Sequence, residues 1–151
     1  MIKIEHVVSS IRNASNGASQ CIPPMLNSQS KLGLNVTLHT LDMFGIDNDM
    51  NFIVKTYKRD WILGNKVGRS RSMRNALRKS TADIIHDHGT WEMPNIYAGQ
   101  GCQNKTCKLI CTPHGNFTKY AWNYSKWKKK AFSPIILILI SGVLGILLYG
   151  V

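Results

Sequence analysis

The sequence is short of acidic side chains: its 151 residues contain eight Asp and Glu against nineteen Lys and Arg, a formal charge of +11. This surplus favours partners that carry phosphate or acidic lipid, although a solvated basic surface explains it equally well. The basic residues are scattered and no nucleic-acid recognition motif is present, so we predict no nucleic-acid partner. No acidic residue follows Glu92, which excludes carboxylate chemistry downstream of it.

Several catalytic and binding motifs are also absent. The sequence has no G-x-S-x-G, which excludes the usual serine-hydrolase turn, and no G-x-G-x-x-G, so a dinucleotide cofactor is not expected. It has no C-x-x-C or H-x-x-x-H spacing, and we predict no metal site. No signal peptide is recognisable, and the irregular spacing of the cysteines predicts reduced thiols in the cytoplasm. Those cysteines are Cys21, Cys102, Cys107 and Cys111.

What the sequence does contain is a regular alternation of strand-like and helix-like segments. Apolar runs of strand length are bounded by Gly, Pro, Asn and Asp, and helical periodicity appears between most of them. This alternation predicts an α/β fold with a mostly parallel sheet and helices on both faces. The predicted strands are 2–8, 35–41, 52–57, 83–88 and 108–112, and the predicted helices are 19–32, 72–79 and 94–101.

Three loops follow predicted strands and would meet at one edge of such a sheet, namely 9–19, 88–95 and 113–117. Gly17, near a helix start, would let the backbone approach an anion such as a diphosphate, although a single glycine favours an ordinary loop. His88 and His114 each precede a glycine, where an imidazole could bind sugar hydroxyls or move a proton, or serve only as a structural hydrogen-bonder. Trp91 offers a flat face for a sugar, or it belongs to the core.

The last part of the chain changes character. Aromatic residues and lysines precede residue 133, and 133–151 contains no charge at all. We therefore predict two parts, a domain at 1–132 and an apolar tail at 133–151. The segment from Trp127 to Val151 has the composition of a membrane anchor with interfacial residues before it, and a buried helix is the competing interpretation.

Several of these segments together resemble glycosyltransferase family 4. The matching segments are the first strand with its serines, the glycine loop and the following helix, then Asp83-Ile84-Ile85-His86-Asp87-His88-Gly89-Thr90-Trp91, then Thr112-Pro113-His114-Gly115. They occur in the family's order and cover about residues 1–132.

The resemblance implies the amino-terminal, Rossmann-like half of a GT-B fold and transfer of a sugar from a nucleotide-sugar donor with retention of configuration. By resemblance, Gly17 would approach the donor diphosphate, and His114 would lie near the donor sugar. His88, Thr90 and Trp91 would lie on the acceptor side, with His88 and His114 as the catalytic pair. The acceptor would be a sugar or a lipid-linked glycan, in polysaccharide or glycolipid synthesis. No cofactor or divalent metal is implied.

Departures from the family pattern are concentrated downstream. The carboxy-terminal domain with its paired glutamates is missing, and the apolar tail replaces the expected amphipathic helices. We expect a truncated or frame-shifted product that has little activity unless a complementing donor-binding domain is supplied. The alternative is a non-enzymatic, membrane-anchored binding module. Either version predicts a location at the cytoplasmic face of a membrane.

Overall fold

The structure is a computed structural model that describes residues 1–12, 17–43, 50–103, 106–115 and 118. The chain divides into two compact units, Met1–His114 and Gly115–Val151. Among the described residues of the second unit, the Thr118 amide donates to the Gly115 carbonyl oxygen over 3.0 Å, which forms a turn. The predicted boundary at residue 132, the segment Trp127 to Val151 and the predicted tail lie outside the described residues.

The first unit is built on one sheet. Its elements are β1 (Lys3–Ile11), α1 (Gly17–Lys31), β2 (Asn35–Met43), β3 (Ile53–Thr56), α2 (Gly64–Val67), α3 (Arg71–Arg78), β4 (Ile84–His88), α4 (Met93–Cys102) and β5 (Lys108–Thr112). The five strands are ordered β3-β2-β1-β4-β5, and every neighbouring pair is parallel. The predicted α/β class with a parallel, Rossmann-like sheet is confirmed.

Neighbouring side chains on β1 enter two different cores, because successive residues of a strand point to opposite faces. Val7 packs with residues of α3 and α4, whereas Val8 packs with residues of α1. Helices therefore cover both faces of the sheet, as predicted. The residues of α1 that are fully buried, Ile22 and Leu26, lie four positions apart and so share one face of the helix.

Several element boundaries differ from the prediction by one to three residues. β1 continues through Ile11, where the sequence predicted a loop from Ser9, because the backbone there pairs with Asp42 and Met43 of β2. Pairing depends on backbone groups, which a serine supplies as well as a valine does. α1 begins at Gly17, so Pro23 and Pro24 lie inside the helix rather than in its first turn. Gly33 ends this segment with a φ of +83°.

The helices on the second face begin at defined caps. Ser70 precedes α3, and its hydroxyl accepts a hydrogen bond from the Met73 amide. Glu92 and Asn95 form a reciprocal capping box at the start of α4. The Asn95 side chain also donates to Asp87 over 2.8 Å, so the beginning of α4 is attached to the end of β4. This attachment fixes the chain on both sides of the loop that carries Thr90 and Trp91.

Two further findings concern the cysteines and the membrane. The structure brings the sulfurs of Cys102 and Cys107 into contact, with Cα atoms 5.0 Å apart, a separation that a disulfide allows, and the redox state of the cysteines stays a prediction. The end of α4 and the start of β5 bring the two residues together, which their spacing in the sequence did not reveal.

Within the described ranges, no helix is long and apolar enough to span a bilayer.

Candidate functional site

Strand register gathers histidines on the α1 face of the sheet. His6 of β1 is directly opposite His86 of β4, and His88, two residues further along β4, shares that face. His88 is in turn opposite Thr112 at the end of β5, and His114 follows two residues later. The imidazoles therefore form a row that runs across three strands toward the carboxyl edge of the sheet.

Hydrogen bonds connect this row from end to end. Gln29 of α1 places its side-chain oxygen 2.8 Å from Nε2 of His6, and Nδ1 of His6 lies 2.9 Å from Nε2 of His88. Nδ1 of His88 lies 2.8 Å from Nε2 of His114. We call these four residues, Gln29, His6, His88 and His114, the imidazole row. His86 lies beside it, with its ring centroid 4.1 Å from that of His88 and its Nε2 bonded to the Thr112 hydroxyl.

Burial keeps the inner rings of the row neutral. His6 is completely buried and His88 is 5% exposed. Burial lowers the pKa of His6 to about 4, even though the hydrogen bond to Gln29 opposes it. Burial, reinforced by the neighbouring imidazoles, lowers the pKa of His88 to about 2. The pKa of His86 is lowered for the same reasons. These rings therefore act as neutral donors and acceptors at physiological pH.

The opposite face of β4 carries a carboxylate. Asp87 is buried, and this burial raises its pKa to about 6, although the hydrogen bonds from Asn95 and the His88 amide oppose the shift. On the same face, Glu5 lies 3.3 Å from His39, whose other ring nitrogen is 2.8 Å from the Tyr57 hydroxyl. Burial alone would raise the pKa of Glu5, but its hydrogen bonds lower the pKa to about 2. The sheet thus separates its buried carboxylates from the imidazole row.

Metal binding is the rival use of the histidines. One ring nitrogen each from His6, His86 and His88 lie within 4.8 Å of one another, a group large enough to consider for a cation. Zinc requires a lone pair from each ligand directed at the ion. Here His6 and His88 are hydrogen-bonded to each other and His86 is bonded to Thr112, so hydrogen bonds already occupy these nitrogens. The absence of a metal site stays a prediction.

The row ends at the rim of the sheet, beside the start of α1. His114 is exposed, with a φ of +44°, and its Nδ1 lies 3.9 Å from the sulfur of Cys21 in the second turn of α1. Gly17 begins that helix, and a Cβ built on it would meet nothing within 4 Å. Thr90 and Trp91 are half-buried in the loop after β4, and among the described residues the Thr90 hydroxyl has no hydrogen-bond partner.

A family model described as Glycosyltransferase Family 4 matches residues 15–141, which is most of the chain. The chain belongs to glycosyltransferase family 4. A crystal structure of a glycosyltransferase from Rickettsia africae ESF-5 is similar in fold, with a TM-score of 0.54 and 16% sequence identity. The alignment covers 90% of this chain and 34% of that one, so the chain spans about a third of its length. No curated protein matched the sequence.

For this family 4 chain, sequence reasoning located part of the cluster. His88 and His114 were predicted as a pair, and the structure places them in hydrogen-bond contact. His6, Gln29 and Cys21 were not predicted as site residues. One signal could have identified His6. It lies in a strand of alternating polar and apolar residues, and parallel pairing of that strand with β4 brings it beside His86. The catalytic, donor-binding and acceptor-binding roles remain predictions.

A second concave region lies at the amino-terminal ends of α3 and α4. It is a cleft of about 420 Å³ whose lining includes Arg69, Arg71 and Arg74. Asp60 pairs with Arg69 at 3.3 Å, whereas Arg71 remains 78% exposed. The neighbouring turn exposes three consecutive apolar side chains: Trp61 is 98% exposed, Ile62 65% and Leu63 50%. A basic cleft beside an exposed apolar turn is a combination that suits anionic, amphipathic ligands.

Proposed function

We infer that this family 4 chain is the acceptor-binding half of a nucleotide-sugar-dependent glycosyltransferase, active in sugar transfer only when a donor-binding domain is supplied. The observation that carries the proposal is the contact between His88 and His114 at the carboxyl edge of a parallel sheet. That edge is where α/β proteins bind ligands, and an exposed imidazole there can accept a hydrogen bond from a sugar hydroxyl. By resemblance to the family, transfer would retain configuration.

The rim supplies the other features that such a reaction needs. Cys21, in the second turn of α1, lies beside His114, and Gly17 at the start of that helix leaves open space for a donor diphosphate. Thr90 and Trp91 would bind the acceptor, the first through its hydroxyl, which has no partner within the described part of the chain, and the second through its ring face. The nucleotide-sugar is a substrate, and the proposal includes no cofactor.

A glycan array probed with the fluorescently labelled full chain tests acceptor binding. We expect retention on surface polysaccharide fragments or lipid-linked sugars, and loss of most of the signal in the variants Trp91→Ala and His114→Ala. Lys31→Ala is the matched control, because Lys31 is exposed at the far end of α1. Binding that is equal in all variants would contradict the proposed site.

The half-site part of the proposal has its own test. The purified full chain is incubated with radiolabelled UDP-glucose or GDP-mannose and the glycans retained on the array. We expect no more transferred radiolabel than in a control with buffer alone, because one domain cannot position donor and acceptor against each other for reaction. Robust transfer by this chain alone would show that no complementing domain is needed.

We also propose that the acceptor is presented at the cytoplasmic face of a membrane, in polysaccharide or glycolipid synthesis. The support is the exposed turn of Trp61, Ile62 and Leu63 beside the arginine-lined cleft, since apolar side chains with a basic rim suit an anionic lipid surface. This feature also favours the alternative of a non-enzymatic, membrane-bound binding module.

Vesicle flotation examines the membrane proposal. The full chain should float with phosphatidylglycerol vesicles and should float less when Trp61→Ser and Ile62→Ser are combined. The exposed Leu32, at the opposite end of the sheet from this turn, provides the control variant Leu32→Ser. Flotation that does not respond to the double variant would remove the turn from the membrane contact. Sugar transfer after a donor-binding domain is added would support the enzyme hypothesis and exclude a non-enzymatic binding module.

A further inference from the structure

The hydrogen bonds of the imidazole row have a direction that can be deduced. Each contact holds one hydrogen between two atoms, and either atom could act as the acceptor. A neutral imidazole carries a single N–H and one lone pair, so a ring that accepts at one nitrogen must donate at the other. In a row of such rings, the direction of one hydrogen bond therefore sets the direction of all the others.

Gln29 sets that direction. Its side-chain oxygen faces Nε2 of His6 at 2.8 Å, and a carbonyl oxygen can only accept, so Nε2 of His6 carries the hydrogen. Nδ1 of His6 is then an acceptor, and Nε2 of His88, 2.9 Å away, must donate to it. The same reasoning makes Nδ1 of His88 an acceptor and Nε2 of His114 its donor, over 2.8 Å.

The consequence appears at the exposed end of the row. His114 keeps its hydrogen on Nε2, so its Nδ1 presents a lone pair toward the rim. The Cys21 sulfur lies 3.9 Å from this nitrogen, but its single S–H is also within range of the Ala18 carbonyl oxygen at 3.8 Å. A thiol is a weak donor, which a stronger hydrogen-bond donor would replace. The row thus ends in an acceptor of defined orientation rather than in a ring that exchanges between its two tautomers.

This order of tautomers requires neutral inner rings, and the surroundings provide them. His6 and His88 are removed from water, which lowers their pKa values to about 4 and about 2. The titratable groups that face them from β4, the segment after β5 and α1 are His86, His114 and Cys21. Asp87 points to the opposite face of β4, so no described carboxylate on this face favours a charged ring.

We propose that Gln29 is a positioning residue that fixes one tautomer through His6 and His88 and leaves Nδ1 of His114 free to accept a hydrogen bond from a substrate hydroxyl. The substrate clause rests on the proposed function. The order of the tautomers does not, because it follows from contacts within the chain.

Long-range ¹H–¹⁵N correlation spectra of the ¹⁵N-labelled full chain at pH 7.5 test the proposal without substrate, because protonated and unprotonated ring nitrogens resonate far apart. In the wild type we expect His6, His88 and His114 to carry their hydrogen on Nε2. Scalar coupling across the two N–H···N contacts should also be visible. Wild-type spectra with Nδ1–H on His114, or without either coupling, would overturn the proposal.

Substitution of Gln29 tests causation. In Gln29→Leu the hydrogen on Nε2 of His6 would be buried without an acceptor, which costs free energy. We therefore expect the donor and the acceptor of every hydrogen bond in the row to exchange. The ratio of Nδ1–H to Nε2–H on His114 should then rise by about fivefold or more.

Gln100→Leu, on the opposite side of the sheet, is the control and should leave the ring nitrogens unchanged. An unchanged His114 ratio in Gln29→Leu would refute the positioning role. If Gln29→Leu does not fold, the tautomers and couplings of the wild type still decide the question. Failure of glycan binding with intact tautomer order would reject the proposed function and leave this inference standing.

Discussion

Acidification from pH 7 to pH 5 should destabilise this chain, because the imidazole row must stay neutral to remain buried. His6 and His88 have folded-state pKa values of about 4 and about 2, whereas an unfolded histidine has a pKa of about 6.5. As the pH falls below 6.5, the unfolded chain binds protons that the folded chain does not bind. The free energy of unfolding therefore decreases across this window.

The size of the effect follows from these values. At pH 5 an unfolded histidine is about one and a half pH units below its pKa, so each of the two rings costs about 2 kcal/mol relative to pH 7. The pKa of His86 is also lowered, so this residue further decreases the free energy of unfolding on acidification. Asp87 acts in the opposite direction, because its raised pKa of about 6 makes the folded state bind a proton first, which recovers about 1 kcal/mol. We expect a net loss of about 3 kcal/mol or more.

Urea unfolding followed by circular dichroism at pH 7 and pH 5 measures this difference. The variant Asp87→Asn provides a second test, because it keeps an acceptor for Asn95 and removes the carboxylate. It should be more stable than the wild type at pH 7 and should lose about 4 kcal/mol on acidification, more than the wild type does. Glu5 is a useful internal check, since its lowered pKa affects stability only below about pH 4.5. Equal or greater stability of the wild type at pH 5 would refute the reasoning.

Two other predictions concern packing and metal. A Cβ on Gly101 would lie 2.7 Å from Cδ1 of Ile85 and 3.1 Å from the Leu77 carbonyl oxygen, whereas one on Gly99 would meet nothing within 4 Å. Gly99→Ala should stabilise the chain by about 0.5–1 kcal/mol through helix propensity, and Gly101→Ala should be less stable than Gly99→Ala by about 1–3 kcal/mol in thermal unfolding. Equal melting temperatures would contradict the close packing of α4. EDTA should leave the melting temperature of the wild type unchanged, because hydrogen bonds occupy the histidine nitrogens, and a clear decrease would indicate a bound cation.

Local sequence signals were sufficient for the architecture. Short apolar runs bounded by turn residues located all five strands, and the alternation with helical segments indicated a parallel sheet. The boundaries were less accurate where tertiary pairing competed with local preference. Ser9 and Ser10 have loop-like composition, yet β1 continues through them because β2 offers matching backbone groups. α2 was missed for a different reason, since its four residues are too few to show a period.

The site was predictable only as far as local motifs extend. His88 and His114 each stand before a glycine at the end of a strand, and this pattern can be seen without a structure. No local sequence pattern distinguishes His6 and Gln29, because their place in the site depends on the register between β1 and β4 and on the packing of α1. Contacts between residues eighty positions apart are a property of the assembled sheet, which a single sequence does not display.

The dependence of the imidazole row on strand register limits how this protein can diverge or be engineered. Deleting or inserting one residue within β4 would turn His88 to the face that now holds Asp87 and would disconnect His114 from the interior. The turn that follows β4 has no such restriction, because its length does not alter which way the strand side chains point. Libraries that test the proposed acceptor role should therefore vary the number of residues in that turn and keep the length of every strand constant.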